Sequence, residues 1–318
     1  MTQHFIVIFG SLKTTITRNK AVSVEDFIIA VYCLVDNELK IVLKGTQVRR
    51  RGFKPKLSDS EVITMDIVGE FLGHDTDVGI WRYFKNHWFA WFPGIGSRVN
   101  YAKQSANLWV LKQKIYNKLL AQTGALTDRL HMADGFPMPV CHFKRAGFSR
   151  IFKGAAAYGY CASKSETYYG FKGNLVISSE GVITGITVAP ANIDERESLW
   201  DVIDNIEGLL IADKGLIGED YQEQIRANSQ VNLQTPTRNN MKDVRGKDCN
   251  RWITSTRRLV ETVIGQLAEQ FNIEKIRARD LWHLTGRVTR KVLAHTVGII
   301  INKINGGPAL QFERLNIV

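Results

Sequence analysis

The chain has 318 residues, 44% of them hydrophobic and 23% charged, the balance of an ordinary globular protein with room for two domains; no repeat or low-complexity tract interrupts it. A formal net charge of +11 and a pI near 9.5 give a surface that attracts polyanions, so nucleic acid is the leading partner. A membrane is the competing partner, but no apolar run reaches the roughly 18 residues that span a bilayer, and the longest, Val292 to Ile304, is broken by His295 and Asn302 and suits a core helix.

Cys33, Cys141, Cys161 and Cys249 show no zinc spacing and read as reduced, mostly buried thiols. Met1 to Gly10 lacks a preceding basic residue and a small-residue cleavage site, which argues against a signal peptide; residues 1–22 receive no role. Ser23 caps a helix through Phe27, Ala30, Val31 and Leu34 that ends before Gly45. Lys40 to Lys56 follows, with Arg49, Arg50, Arg51, Lys54 and Lys56 and no acid within it. Such a run is a solvated loop or a phosphate contact.

Ser58-Asp59-Ser60-Glu61 is a capping box that opens a helix to Gly73, and Asp75-Thr76-Asp77 starts another carrying Ile80, Trp81, Phe84 and Trp88. The pair is compatible with a helix-turn-helix, and Trp81, Trp88, Phe89, Trp91 and Phe92 read as the core of a small helical domain. Lys103 to Ala121 reads as one longer helix with Leu108, Leu111, Ile115, Leu119 and Leu120 inward and Lys112, Lys114 and Lys118 outward. A domain boundary is expected near Thr123 to Asp128.

From Leu130 the pattern becomes strand-like. His131 to Val140 reads as a strand containing Asp134, its continuation limited by Pro137 and Pro139. Phe171 to Ile177 and Val182 to Val188 form a hairpin, with the small and aromatic Ala155 to Tyr160 before it. Asn192 or Asp194 caps a helix to about Ile206. Leu209-Leu210-Ile211-Ala212-Asp213 reads as a buried parallel strand ending in an acid at the sheet's carboxyl edge, where open α/β sheets hold ligands; a helix N-cap is the other reading of Asp213. A helix over Glu219 to Asn228, a strand over Val231 to Gln234 and a last helix from about Thr254 complete the order. That order is the order of a ribonuclease H-like mixed sheet with flanking helices. On the last helix Arg257 and Glu261 stand four residues apart, the spacing of neighbours on a helical surface.

Several blocks in sequence carry a more specific signal. Ala133-Asp134-Gly135-Phe136-Pro137-Met138-Pro139-Val140-Cys141, Tyr169 to Leu175, Ala189 to Asp194, Leu210 to Gly215 and Arg257-Arg258-Leu259-Val260-Glu261-Thr262 resemble a DDE transposase of a bacterial insertion sequence. Leu57 to Val62 with Gly79 to Phe84 resembles the insertion sequence 982 family. The resemblance implies a helical DNA-binding domain over residues 23–125, a catalytic domain over 126–306 and a tail over 307–318. It assigns Asp134, Asp213 and Glu261 as the catalytic acids and ligands of two Mg²⁺ or Mn²⁺ ions per site, a fit for hard carboxylate oxygens and two-metal phosphoryl transfer. It implies a protein of the bacterial cytoplasm and nucleoid that acts as a homodimer on double-stranded DNA, at terminal inverted repeats and target, with no membrane partner.

DNA contacts are expected from Arg49, Arg50, Arg51, Lys54, Lys56 and Lys172, and from a second basic cluster of Arg238, Lys242, Arg245, Arg257 and Arg258. Related families carry a Tyr seven residues before the Glu and a Lys seven after; here those places hold Thr254 and Ala268. Glu269 is a competing third acid, Asp194 reads as a cap and Asp128 as part of a turn. A non-catalytic DNA-binding regulator and a related metal nuclease are the alternative readings.

Overall fold

The computed structural model describes residues 22–49, 51–162, 164–237 and 245–315. They form two compact units, one within Met1–Ile115 and Leu293–Val318, the other Tyr116–Val292. Among the described residues no helix is long and apolar enough to cross a membrane.

The first unit is helical: α1 Val24–Leu43, α2 Asp59–Phe71, α3 Asp77–His87, α4 Arg98–Asn107 and the start of α5 Trp109–Thr123. Its helices begin where side chains satisfy the orphan amides of the first turn. Ser23, Thr76 and Ser97 each accept from a backbone N–H three residues on, and Ser58 and Glu61 close the full reciprocal box. Helix α2 is buried from Val62 to Phe71, charged residues included, so it is the centre of this unit.

Three expectations change here. The expected single helix over Lys103–Ala121 is two, α4 and α5, broken at Leu108, whose side chain is fully buried at the break. Lys112 does not point outward. It is 1% exposed because its ammonium pairs with the buried Asp66 carboxylate of α2 and donates to the Ser105 carbonyl at 2.9 Å. The helical period alone shows a charge, whereas its counter-charge lies on another helix. Of the aromatic group, Phe92 is buried and Trp81 and Trp88 are half-buried, but Phe89 and Trp91 are exposed.

The second unit carries β1 Leu130–His142, a short helix α6 Phe143–Ala146, β2 Ala157–Cys161, β3 Glu166–Ser178, β4 Ile183–Pro190, α7 Glu195–Ile203, β5 Gly208–Ile211, α8 Glu219–Asn228, β6 Val231–Gln234 and α9 Lys247–Glu269. The sheet runs β2-β3-β1-β5-β6, with β4 also on β3. Strands β2 and β4 share one edge of β3, against residues 166–170 and 171–177. β1 is antiparallel to β3, and β1-β5 and β5-β6 are parallel. This mixed sheet with flanking helices is consistent with a ribonuclease H-like fold.

Ala157–Cys161, passed over as a strand in the sequence, is the edge strand β2. The prolines do not end β1, which runs on to His142 past a bulge between Pro139 and Cys141. β5 pairs only with Leu130 to Met132, so beyond that point a missing N–H on the open side costs no ladder bond. Helix α9 begins seven residues before the expected Thr254. Of the cysteines, Cys249 is exposed and Cys33, Cys141 and Cys161 are half-buried rather than buried.

One core cluster joins Ala133, Leu210, Ala212 and Leu233 of the sheet region to Leu199, Val202, Tyr221 and Ile225 of α7 and α8. Each such large side chain removed from water contributes about 1.5–3 kcal/mol. Helix α9 buries Ile253, Val260, Val263 and Leu267 and packs on β1, β3 and β5. The end of β1 nearest α7, α9 and β5 is thereby a place that three elements can reach.

Candidate active site

Strand register builds the site. Met132 of β1 stands opposite Ile211 of β5 in parallel pairing. Asp134 and Asp213 each lie two residues further on, so the chain carries both carboxylates past the end of the shared ladder at the same level. Asp134 Oδ1 accepts from the Gly135 amide at 2.9 Å. Asp213 follows β5 and caps a single 3-10 turn over Lys214–Leu216, accepting from Gly215 N at 3.3 Å. Both sequence readings of Asp213 therefore hold together: it caps a turn, and the turn stands at the carboxyl edge of the sheet.

Arg257 of α9 ties the acids to one another. Its Nη2 lies 2.7 Å from Asp134 Oδ2 and 3.4 Å from Asp213 Oδ1, while Nη1 lies 2.8 Å from Glu261 Oε1 one helical turn on. The guanidinium is 18% exposed, and its Nε is buried with no partner. Glu269 sits exposed at the last residue of the same helix.

Burial pushes the Asp134 carboxyl up to about 6. The Arg257 charge and the Gly135 amide oppose the rise, and the Asp213 and Glu195 charges add to it. Glu195, absent from the sequence expectations, begins α7, and its Oε1 accepts from Lys172 Nζ of β3 at 3.2 Å. Its signal was the Asp194 cap. Asp194 does accept from the Arg196 amide at 2.8 Å, and the first helical residue after such a cap is favourable for an acid. Asp128, six residues before Asp134, accepts from Ser179 N and Oγ at 2.7 and 2.6 Å, clipping the start of β1 to the β3–β4 turn.

The carboxylates are thus gathered about a guanidinium. Among the described residues no three His, Cys, Asp or Glu side chains converge on one ion position. The donor chemistry nevertheless suits a divalent cation: four carboxylates are held in ion pairs by two cationic side chains, Arg257 and Lys172. The surplus negative charge is what hard cations neutralise.

Residues 124–281, which contain all of these side chains, match the family described as Transposase DDE domain. The match supports a DDE transposase. No curated protein and no solved structure matches the chain.

The expected DNA-contacting side chains stand in different situations. Arg258 is exposed, whereas Arg257 is held by the acids and Lys172 by Glu195. Arg245 donates to Gln234 Oε1 and the Thr235 carbonyl, each at 3.0 Å. Arg50, Arg238 and Lys242 lie outside the described residues. Arg49 forms a two-pronged pair with Asp59, 2.9 and 2.8 Å, while Arg51, Lys54 and Lys56 are exposed.

Proposed function

We propose that this chain is a DNA transposase of the insertion sequence 982 type, which cuts at the ends of its element and transfers the freed 3′-hydroxyl into target DNA. The observation that carries the proposal is that Asp134 and Asp213 each follow the last pair of one parallel ladder by two residues, with Glu261 brought in by Arg257. Asp134, Asp213 and Glu261 are the residues that would hold Mg²⁺ or Mn²⁺. Divalent cations in such a site activate the attacking oxygen and stabilise the leaving oxygen of an in-line displacement at phosphorus.

The chain's own contributions are positional and electrostatic. Met132 and Ala133 are buried, which fixes the strand that presents Asp134. The Gly135 amide and Arg257 steady its ionised carboxylate against the cost of burial. Choice of Glu261 over Glu269 rests on the Arg257 contact to Glu261, one helical turn away, whereas Glu269 stands exposed at the far end of the helix.

DNA recognition by the helical unit is part of the same proposal. α3 buries Ile80 and Phe84 and leaves Arg82, Lys85 and Asn86 exposed, a face suited to phosphates or a groove. Arg51, Lys54 and Lys56 add exposed charge beside the capping box of α2. Two element ends to be processed favour a homodimer on DNA, and a DNA substrate favours action at the bacterial nucleoid.

The deciding experiment is cleavage of an end-labelled duplex carrying a candidate terminal repeat, with Mg²⁺ or Mn²⁺, by the native chain and by Asp213→Asn. Metal-dependent release of a 3′-hydroxyl at the repeat boundary, lost in the variant, is the expected result. Repeat binding without cleavage would point to a regulator, and cleavage without joining to a nuclease.

A further inference from the structure

The pocket nearest the proposed acids does not contain the expected third one. It is lined by Asp134, Gly135, Asn174, Glu195, Asp213 and apolar neighbours, and Glu261 is not part of its wall. Two bare glycine edges show how closely Glu195 faces the others. A Cβ at Gly215 would lie 3.3 Å from Glu195 Oε2 and 3.9 Å from Asp213 Oδ2; one at Gly135 would lie 3.7 Å from Glu195 Oε1 and 3.2 Å from Asn174 Oδ1. The pocket is thus bracketed by three carboxylates on β1, α7 and the turn after β5.

A second observation points to a ligand. Asn174 stands opposite Gly135 in the β1–β3 register, is 6% exposed, and its Nδ2 is buried with no hydrogen-bond partner. An unpaired buried amide is costly unless something in the pocket accepts its hydrogen bond. A water or phosphate oxygen on a cation held by the surrounding carboxylates is an acceptor of the right kind.

We infer that Glu195 is a fourth carboxylate of the cation site, turning its side chain from the wall of this pocket to bind a divalent ion together with Asp134 and Asp213, with Asn174 donating to an oxygen carried by that ion. The inference rests on the transposase reading of Asp134 and Asp213 and adds a residue to it. Lys172 Nζ, 3.2 Å from Glu195 Oε1, is the cation with which the ion would compete for Glu195. Glu195 and Glu261 then serve the two sides of Asp134, one from α7 and one from α9. Lys172 is freed to meet a phosphate when the ion binds.

The test is Mn²⁺ binding to the full, DNA-free chain, read by the loss of the free-Mn²⁺ electron paramagnetic resonance signal. The native chain is compared with Glu195→Gln, Asp134→Asn and Lys172→Met, with circular dichroism as the folding control. Glu195→Gln weakens Mn²⁺ binding tenfold or more at at least one site. Lys172→Met tightens it several-fold by removing the competitor, a change of opposite sign that a merely structural glutamate would not produce. Native-like affinity in Glu195→Gln alongside lost affinity in Asp134→Asn would overturn the role of Glu195 and leave the proposed site standing. Native-like affinity in both would overturn the two together.

Discussion

Replacing Arg257 by Gln removes the cation that now stands among three of the acids while keeping a polar side chain of moderate length. The Nη2–Asp134 contact joins two side chains that are 18% and 19% exposed, and a charge-assisted bond in that setting contributes about 1.5–3 kcal/mol. The contacts to Asp213 and Glu261, whose side chains are 47% and 53% exposed, add together no more than about 1 kcal/mol. The expected loss in EDTA at neutral pH is therefore about 2–4 kcal/mol, measured from urea denaturation curves with unchanged slope. The loss is bounded because Asp134 can take up a proton. Its folded value of about 6 lies above the ordinary 3.8, so ionising it already costs stability as pH rises from about 4 to about 6. Without Arg257 that fall extends to higher pH, and the variant and native curves converge near pH 5. Saturating Mn²⁺ should shrink the gap, since the ion supplies the positive charge the variant lacks. An equal loss in EDTA and in Mn²⁺ would show that Arg257 acts only as packing, and no loss in either would show that the acids do not feel one another.

Four further outcomes follow from the structure. Lys112→Met leaves the buried Asp66 carboxylate without its ion pair and should destabilise by about 3–5 kcal/mol; adding Asp66→Leu should restore much of this, and a single-variant loss under about 1 kcal/mol would contradict the buried pair. Gly170→Ala places a Cβ 2.4 Å from the Met138 carbonyl oxygen and 2.8 Å from Val140 N, backbone atoms that cannot swing aside, so a loss of about 1–3 kcal/mol is expected in thermal melts. His295 is buried and its folded value is pushed down to about 3 by desolvation, below the unfolded 6.5. Its neutral form is thus the stable one: stability should fall by up to about 1.4 kcal/mol per unit as pH drops from 6.5 toward 3, and His295→Leu should flatten that limb. Neutralising Arg51, Lys54 and Lys56 should weaken duplex binding and reduce its salt dependence, and an unchanged slope would assign the run to a solvated loop.

Local chemistry was legible in the sequence, and contacts between distant segments were not. The Ser58–Glu61 box, the Asp194 cap, the helix over Glu219–Asn228 and the strand over Val231–Gln234 depend on neighbours a few residues apart, and they stand where the residue types put them. Asp134 and Asp213 could be singled out because each ends or interrupts an apolar run. Lys112 could not be placed, because Asp66, the reason it is buried, is 46 positions away on another helix. Glu195 was hidden for the same reason: only the folded sheet sets the start of α7 beside Asp134 of β1 and the turn after β5. The break at Leu108 left no Gly or Pro to mark it, and β2 was too short and too rich in small residues to declare a period. The Arg257–Glu261 contact follows from their spacing on one helix, whereas the reach of Arg257 to Asp134 and Asp213 depends on the folded sheet.

The alignment of Met132 with Ile211 has one more implication. Strands pair in whole residues, so the offset between Asp134 and Asp213 changes only in steps of about 3.3 Å, and a single step also turns one carboxylate to the opposite face. The spacing of the two acids is therefore discrete, like teeth on a rack. Substitutions that loosen the neighbouring core should leave a fraction of molecules with the acids in register and the remainder without a site, so activity would decline through the count of competent molecules while each of those works at full rate.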